Sequence, residues 1–340
     1  MVNVIKIGII GAGRIGRVHM EGVTTGVKNA TVVAIADPFM NDDIKKWAAE
    51  YGVKTCYSDY HNILDDPNID AVMICSSTDT HADIAIEAIR AHKHVFCEKP
   101  ISQDLGKIKA VMEELKKSDV KFQVGFNRRF DHNFQTIRDA VEAGKIGDVH
   151  LIRVTARDPE APSIDYVKSS GGMFLDMTIH DFDMVCFLSG CKVKEVYAAG
   201  AALVNPDIAK VGDIDTAVIT LKMENGSIGV IDNSRQAVYG YDQRAEVFGS
   251  KGQINVANDT PSTAVLSTAD GVISDKPLYF FLERYMASFT KEVAEFTKAI
   301  ENNTKVPVDV EEGLQPILIA IAAKKSLDEN RPVKISEIKF

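Results

Sequence analysis

The spacing of hydrophobic and polar positions changes its rhythm about a third of the way along this chain. Up to residue 124, short β-branched runs (Val4–Ile10, Thr31–Ala36, Ala71–Cys75, His94–Cys97 and Lys121–Val124) alternate with stretches whose apolar residues recur at helical spacing (Arg14–Gly22, Asp42–Tyr51, Thr80–Ala91 and Leu105–Ser118). Strands that are apolar throughout are covered on both faces, and strict alternation of strand and helix makes them parallel. The pattern predicts an α/β domain with a doubly wound parallel sheet over residues 1–124.

Beyond Gly125 the strands lengthen and alternate apolar with polar. Helices are predicted at about 132–144 and 171–189, and strands at Val149–Arg157, Val193–Leu203, Thr216–Met223, Ser227–Asn233 and Ala245–Phe248. Glu224-Asn225-Gly226 makes a hairpin turn between two of them, because Asn-Gly accepts positive φ cheaply. Helices from about Glu283 to Asn302 and across Gly313–Leu327 close the chain. Residues 125–340 therefore read as an α+β domain with a mostly antiparallel sheet.

Composition narrows the function. A formal net charge of −9 argues against a nucleic-acid surface, which needs clustered Lys and Arg. The 5 cysteines are odd in number and have no C-x-x-C spacing, so neither a disulfide framework nor a zinc site is predicted. No apolar run approaches the roughly 20 residues of a membrane helix, and Val4–Ala12 lacks a cleavage-site pattern. The expectation is a cytoplasmic protein acting on a small molecule.

Gly11-Ala12-Gly13-Arg14-Ile15-Gly16 fits G-x-G-x-x-G between the first strand and the first helix. In that context side-chain-free backbone approaches a pyrophosphate while helix N-terminal amides and dipole face its charge. This is the dinucleotide fingerprint of a Rossmann domain, with Gly11, Ala12, Gly13, Arg14 and Ile15 at the cofactor. Asp37 ends the next strand, where a carboxylate accepts ribose hydroxyls. It would repel a 2′-phosphate, and Pro38 to Asp43 offer no cation to neutralise one, so NAD is expected over NADP.

Ser76, Ser77 and Thr78 follow the strand Ala71–Cys75, at the carboxyl edge where such sheets bind ligands. They are assigned to the cofactor, although a helix cap by Thr80 explains part of the segment. His81 is open between cofactor contact and packing. Glu98-Lys99-Pro100 follows His94–Cys97 at the same edge. A buried Lys99 ammonium beside a substrate hydroxyl would stabilise developing alkoxide charge, whereas a lysine after an edge strand can equally face solvent. Asp176 and His180 are four apart and would share one face of a helix. A neutral imidazole takes the hydroxyl proton as hydride leaves carbon, with the carboxylate positioning substrate. The alternative is a turn-capping Asp176 and a satisfied core His180. Asp181 and Asp183 read as solvent-facing charges, and packing or exposure accounts for His92, His94 and His132. No group has metal-ligand spacing, so no catalytic metal is expected.

Taken together, G-A-G-R-I-G-x-x-H, A-D-P, S-S-T-x-T-H, C-E-K-P, G-F-N-R-R-F-D and G-G-M-F-L-D-M-T-I-H-D-F-D-M resemble the Gfo/Idh/MocA oxidoreductases over nearly the whole length. The resemblance implies a catalytic set at Lys99, Asp176 and His180, with Glu98 and Lys99 also at the cofactor. It also implies a large open sheet used for assembly into a homo-tetramer. The implied activity is NAD-dependent oxidation of a secondary hydroxyl of a cyclic polyol, inositol. The implied substrate residues are Asn127 or Arg129, Asp158 and Tyr239, with Asp176 and His180. Each has a plainer account: Arg129 paired with Asp131, Asp158 starting the turn at Pro159, Tyr239 packing under Gly240. His19 matches the pattern without an assigned role. An aldose dehydrogenase and a non-catalytic dinucleotide sensor are the competing readings.

Overall fold

The computed structural model describes residues 4–340. They form two compact units. The first contains the chain up to Phe130 together with Met286–Leu314 and Phe340, and the second contains Asp131–Tyr285 and Gln315–Lys339. Packing therefore does not divide the chain into the contiguous spans 1–124 and 125–340. The cause is the returning segment: Val293, Phe296, Ala299 and Val306 join Ile5, Ile7, Val32, Met73 and Phe96 in one buried cluster. Periodicity shows that this helix has an apolar face, not which core receives it.

In the first unit the elements run β1 (Ile5–Ile10), α1 (Arg14–Gly26), β2 (Ala30–Ala36), α2 (Asp42–Glu50), β3 (Thr55–Tyr57), α3 (His61–Leu64), β4 (Ala71–Ile74), α4 (Thr78–Arg90), β5 (His94–Glu98), α5 (Leu105–Leu115) and β6 (Phe122–Gly125). The six strands are parallel in the order β3-β2-β1-β4-β5-β6. This is the doubly wound sheet that the βα rhythm predicts, with its order reversing at β1 and β4, where such sheets bind ligands. Burial explains the apolar runs, since every residue of β4 is inaccessible. The short β3 and α3 were not predicted, because three half-buried residues carry no period.

The second unit runs α6 (His132–Glu142), β7 (Val149–Arg157), α7 (Ile164–Ser170), α8 (Gly172–Asp176), α9 (Ile179–Ser189), β8 (Val193–Ala201), α10 (Pro206–Lys210), β9 (Thr216–Met223), β10 (Ile228–Ser234), β11 (Asp242–Gly249) and β12 (Gly252–Val256). A hairpin β13 (Val265–Thr268) and β14 (Gly271–Ser274) follows, then α11 (Phe281–Glu301), which belongs to the first unit from Met286 onward, α12 (Val310–Glu329), which belongs to the second from Gln315 onward, and β15 (Val333–Lys334). Seven strands pair in the order β12-β11-β7-β10-β9-β8-β15. All neighbours are antiparallel except β7 and β10. Strand β9 shows why one face is covered: Ala217, Ile219, Leu221 and Met223 are buried, while Val218, Thr220 and Lys222 point outward.

The predicted helix over 171–189 is two helices. Thr178 separates them, and its hydroxyl donates to Asn233 Oδ1 at 2.7 Å instead of facing solvent. Such a side-chain bond competes with continuous helix. Asp176 is thus the last residue of α8 and His180 lies in the first turn of α9, so their spacing does not place them on one helical face.

Candidate active site

The fingerprint turn is built by close backbone approach. Gly11 has φ +107°, and a Cβ on it would meet the Cys75 carbonyl at 2.6 Å. A Cβ on Gly16 would fall 2.0 Å from the Gly11 carbonyl oxygen. Both glycines are required by the fold itself. Gly13 is different, because a Cβ there would meet nothing within 4 Å. It caps α1 without a side-chain hydrogen bond, which leaves the helix N-terminus open to an approaching anion. Asp37 accepts from the Ala12 amide at 2.7 Å and from the Phe39 amide at 2.8 Å, so its carboxylate is fixed beside the turn. Open helix end and neighbouring carboxylate fit a dinucleotide's pyrophosphate and ribose.

At the carboxyl ends of β4 and β5 the other first-unit candidates divide. Ser77 is the N-cap of α4, and the Ser76 hydroxyl bonds that of Thr80 at 2.7 Å. The cap is therefore three residues earlier than the Thr80 cap considered from sequence, and Thr78 begins the helix. His81 is buried, with its ring nitrogens at 2.9 Å from the Pro100 carbonyl and 3.0 Å from that of Ser76. Its ring ties two loops at this edge together. Glu98, assigned to the cofactor from sequence, is turned inward: its Oε1 lies 2.6 Å from His19 Nε2, and both residues are buried. Asn127 and Arg129 occupy a 3-10 turn, Asn127–Phe130, and both are buried. Asn127 Nδ2 donates to Ser288 at 3.4 Å. Arg129 pairs with Glu312 at 3.3 Å, and the Asp131 carboxylate is held by Arg284 at 3.0 Å.

In the second unit Asp176 lies in a polar group that sequence did not foresee. Arg235 Nη1 donates to its Oδ2 at 2.9 Å, and Tyr166 donates to its Oδ1 at 2.8 Å. Asp158 Oδ2 is 3.9 Å from the same guanidinium nitrogen, so Asp158 and Asp176 meet through Arg235. Arg235 is only 3% exposed, and charge pairing of this kind makes so deep a guanidinium tolerable. No spacing rule singles out Arg235 or Tyr166. Their position after β10 and in α7 is the one signal, and it needs the fold to be read.

Tyr239 belongs to another network. Its hydroxyl donates to Asp242 at 2.6 Å and accepts from Arg157 at 3.1 Å, and Arg157 also holds Asp232 at 2.6 Å. Burial pushes the Tyr239 hydroxyl up, reinforced by its bond to Asp242. At Asp242 burial likewise pushes the carboxyl up, yet hydrogen bonds from Arg244, Tyr239 and Asn258 outweigh it and hold the carboxyl below its usual range. Asp181 and Asp183, read as solvent-facing, are both fully buried. Asn233 Nδ2 donates to Asp181 at 2.9 Å and Thr178 donates to the same asparagine, so one buried chain pins the start of α9 beneath His180.

The first unit matches the model of an oxidoreductase family with an NAD-binding Rossmann fold over residues 5–126, and the Gfo/Idh/MocA C-terminal domain matches 134–255. The chain belongs to the Gfo/Idh/MocA oxidoreductase family. It is 48% identical to myo-inositol 2-dehydrogenase of Thermotoga maritima, over 98% of this chain and 99% of that protein. It is 51% identical to the uncharacterized oxidoreductase YrbE of Bacillus subtilis, over 98% of each. Among solved structures, scyllo-inositol dehydrogenase from Lactobacillus casei with bound NAD(H) and scyllo-inositol superposes with a TM-score of 0.90 at 32% identity, covering 98% of this chain and 99% of that one.

Proposed function

We propose that this protein is an NAD-dependent inositol dehydrogenase, which oxidises one ring hydroxyl of the cyclic polyol to the ketone. Near-full-length similarity to the Thermotoga myo-inositol 2-dehydrogenase carries this reading. The open N-terminus of α1 beside Asp37 supports the cofactor. Gly11 to Ile15 would hold the pyrophosphate, Asp37 the adenosine ribose, and Ser76 to Thr78 the part of the cofactor nearer the substrate. NAD, when bound, supplies the hydride acceptor.

The catalytic roles fall on this chain's own side chains. His180 takes the proton of the reacting hydroxyl, the Lys99 ammonium donates a hydrogen bond to the alkoxide oxygen, and Asp176 orients the substrate. Arg235 and Tyr166 hold Asp176 for that task. Asn127, Arg129, Asp158 and Tyr239 are the candidate partners of the remaining ring hydroxyls. The same reading takes the open sheet face, with Val218, Ile228 and Phe248 exposed on it, as the candidate contact surface of a homo-tetramer. No disulfide joins the five cysteines, and no helix among the described residues is long and apolar enough to cross a membrane. Both observations suit work in the cytoplasm.

The direct test is NADH formation with myo-inositol, scyllo-inositol, glucose and xylose. Turnover with an inositol well above that with either aldose is expected. Preference for an aldose would make the protein a sugar dehydrogenase, and cofactor binding without turnover of any polyol would make it a sensor. Cofactor choice has its own check. Asp37→Ala is expected to weaken NAD binding about 10- to 100-fold, the scale of losing hydrogen bonds to a charged group, and to narrow the preference over NADP. Equal efficiency of the wild type with both cofactors would overturn the role of Asp37.

A further inference from the structure

The end of β5 that leads to Lys99 rests on three buried ionisable side chains, all within the first unit: His19 of α1, Glu98 of β5 and Glu292 of α11. They are 1%, 6% and 0% exposed, and one nitrogen or oxygen atom of each lies within 4.8 Å of those of the other two. Glu98 is the acceptor at the centre. Its Oε1 takes His19 Nε2 at 2.6 Å and its Oε2 takes the backbone amide of Lys99 at 3.3 Å. The His19 ring is wedged edge-on against Phe96 and Phe289, at 5.1 and 5.7 Å between ring centroids. Donation from Nε2 selects the tautomer whose Nδ1 is a bare lone pair, and Nδ1 has no hydrogen-bond partner. The carboxylate is also fitted sterically, since a Cβ on Gly125 would come within 3.2 Å of it.

Glu292 completes the group. Neither of its carboxylate oxygens has a hydrogen-bond donor, and both are inaccessible to solvent. An ionised carboxylate left there would be unsolvated, undonated and beside a second carboxylate, and two such groups do not both ionise at close range. We infer that Glu292 is held as a neutral carboxylic acid whose O–H faces the Glu98 carboxylate, and that His19, Glu98 and Glu292 together position the Lys99 end of β5. Burial and the Glu98 charge both push the Glu292 carboxyl well above the usual range. The thiols of Cys75 and Cys97 lie in the same field and are pushed up by burial first and Glu98 second, so they too stay neutral. A bound divalent cation would draw on the same three residues. The 2.6 Å contact of His19 with Glu98 is a hydrogen bond, however, and is shorter than the separation of two ligand atoms on one cation.

The inference rests on the assignment of Lys99 above, and the experiment separates the two. Infrared difference spectroscopy of the whole protein at neutral pH is expected to show a protonated-carboxyl stretch, sensitive to deuterium, that Glu292→Gln removes. Glu292→Gln keeps shape, neutrality and a donor, so it is expected to retain kcat and KM. Glu292→Met removes the donor and is expected to lower kcat about 10- to 100-fold by misplacing Lys99, with KM for NAD unchanged. Absence of the band would overturn the inference. So would a Glu292→Gln variant as impaired as Glu292→Met, or stoichiometric metal in the wild type that Glu292→Gln lacks. A band present while Lys99→Met keeps full turnover would instead overturn the role of Lys99 alone.

Discussion

Lys99→Met is expected to lower kcat about 10²- to 10³-fold, the usual consequence of deleting one donor to a developing oxyanion, while leaving NAD binding intact. The reasoning starts from position. Lys99 follows β5 directly at the carboxyl edge of the parallel sheet, the edge on which doubly wound folds place their ligands. Its backbone amide is bonded to the Glu98 carboxylate behind it, so the residue's place on that edge is set by the strand and by the buried group beneath it. In the proposed role an ammonium there would stabilise negative charge on the reacting oxygen more in the transition state than in the alcohol, which is why the loss is expected to fall on kcat. Lys99→Arg keeps the charge but replaces a compact donor by a planar fork and is expected to restore little. Steady-state kinetics with an inositol, paired with NADH fluorescence titration, checks both halves. Full turnover of Lys99→Met would remove Lys99 from the chemistry.

Legibility in the sequence followed the range over which each feature is determined. The fingerprint turn was readable because its causes are local: Gly11 needs positive φ, Gly16 needs room against the Gly11 carbonyl, and Asp37 ends the very next strand. The parallel sheet was readable because strands such as β4 are apolar at every position. Where a residue's role depends on a distant partner, one-dimensional spacing misled. Asp181 and Asp183 look like surface charges, and the partner that buries Asp181, Asn233, lies in β10. Asp176 and His180 look like one helical face because nothing local announces that Thr178 will bond Asn233 and divide the helix. The segment 286–314 looks like part of the second domain because a helix's apolar stripe does not name the core it enters. The same reason hid His19 and Glu292. A histidine in α1 and a glutamate in α11 acquire meaning only when α11 returns to the first unit and faces them toward Glu98.

His180→Ala is expected to lower kcat about 10²- to 10⁴-fold, the contribution of a positioned general base, and to regain part of it when imidazole is added to the assay. The fold supports this residue from beneath. Its neighbour Asp181 is fully buried and is held by Asn233, which in turn accepts from Thr178 and donates to the Ala156 carbonyl of β7 at 3.2 Å. The first turn of α9 is thereby fixed to the sheet on both sides of His180, so truncating the imidazole leaves the backbone in place and a space of its own size. A diffusible imidazole can fill that space and accept the proton. It cannot replace an ammonium, so Lys99→Met is expected to show no such rescue. The contrast separates proton removal from charge stabilisation at the same hydroxyl. Rescue of both variants, or of neither while His180→Ala keeps wild-type turnover, would show that the two roles have been assigned to the wrong side chains.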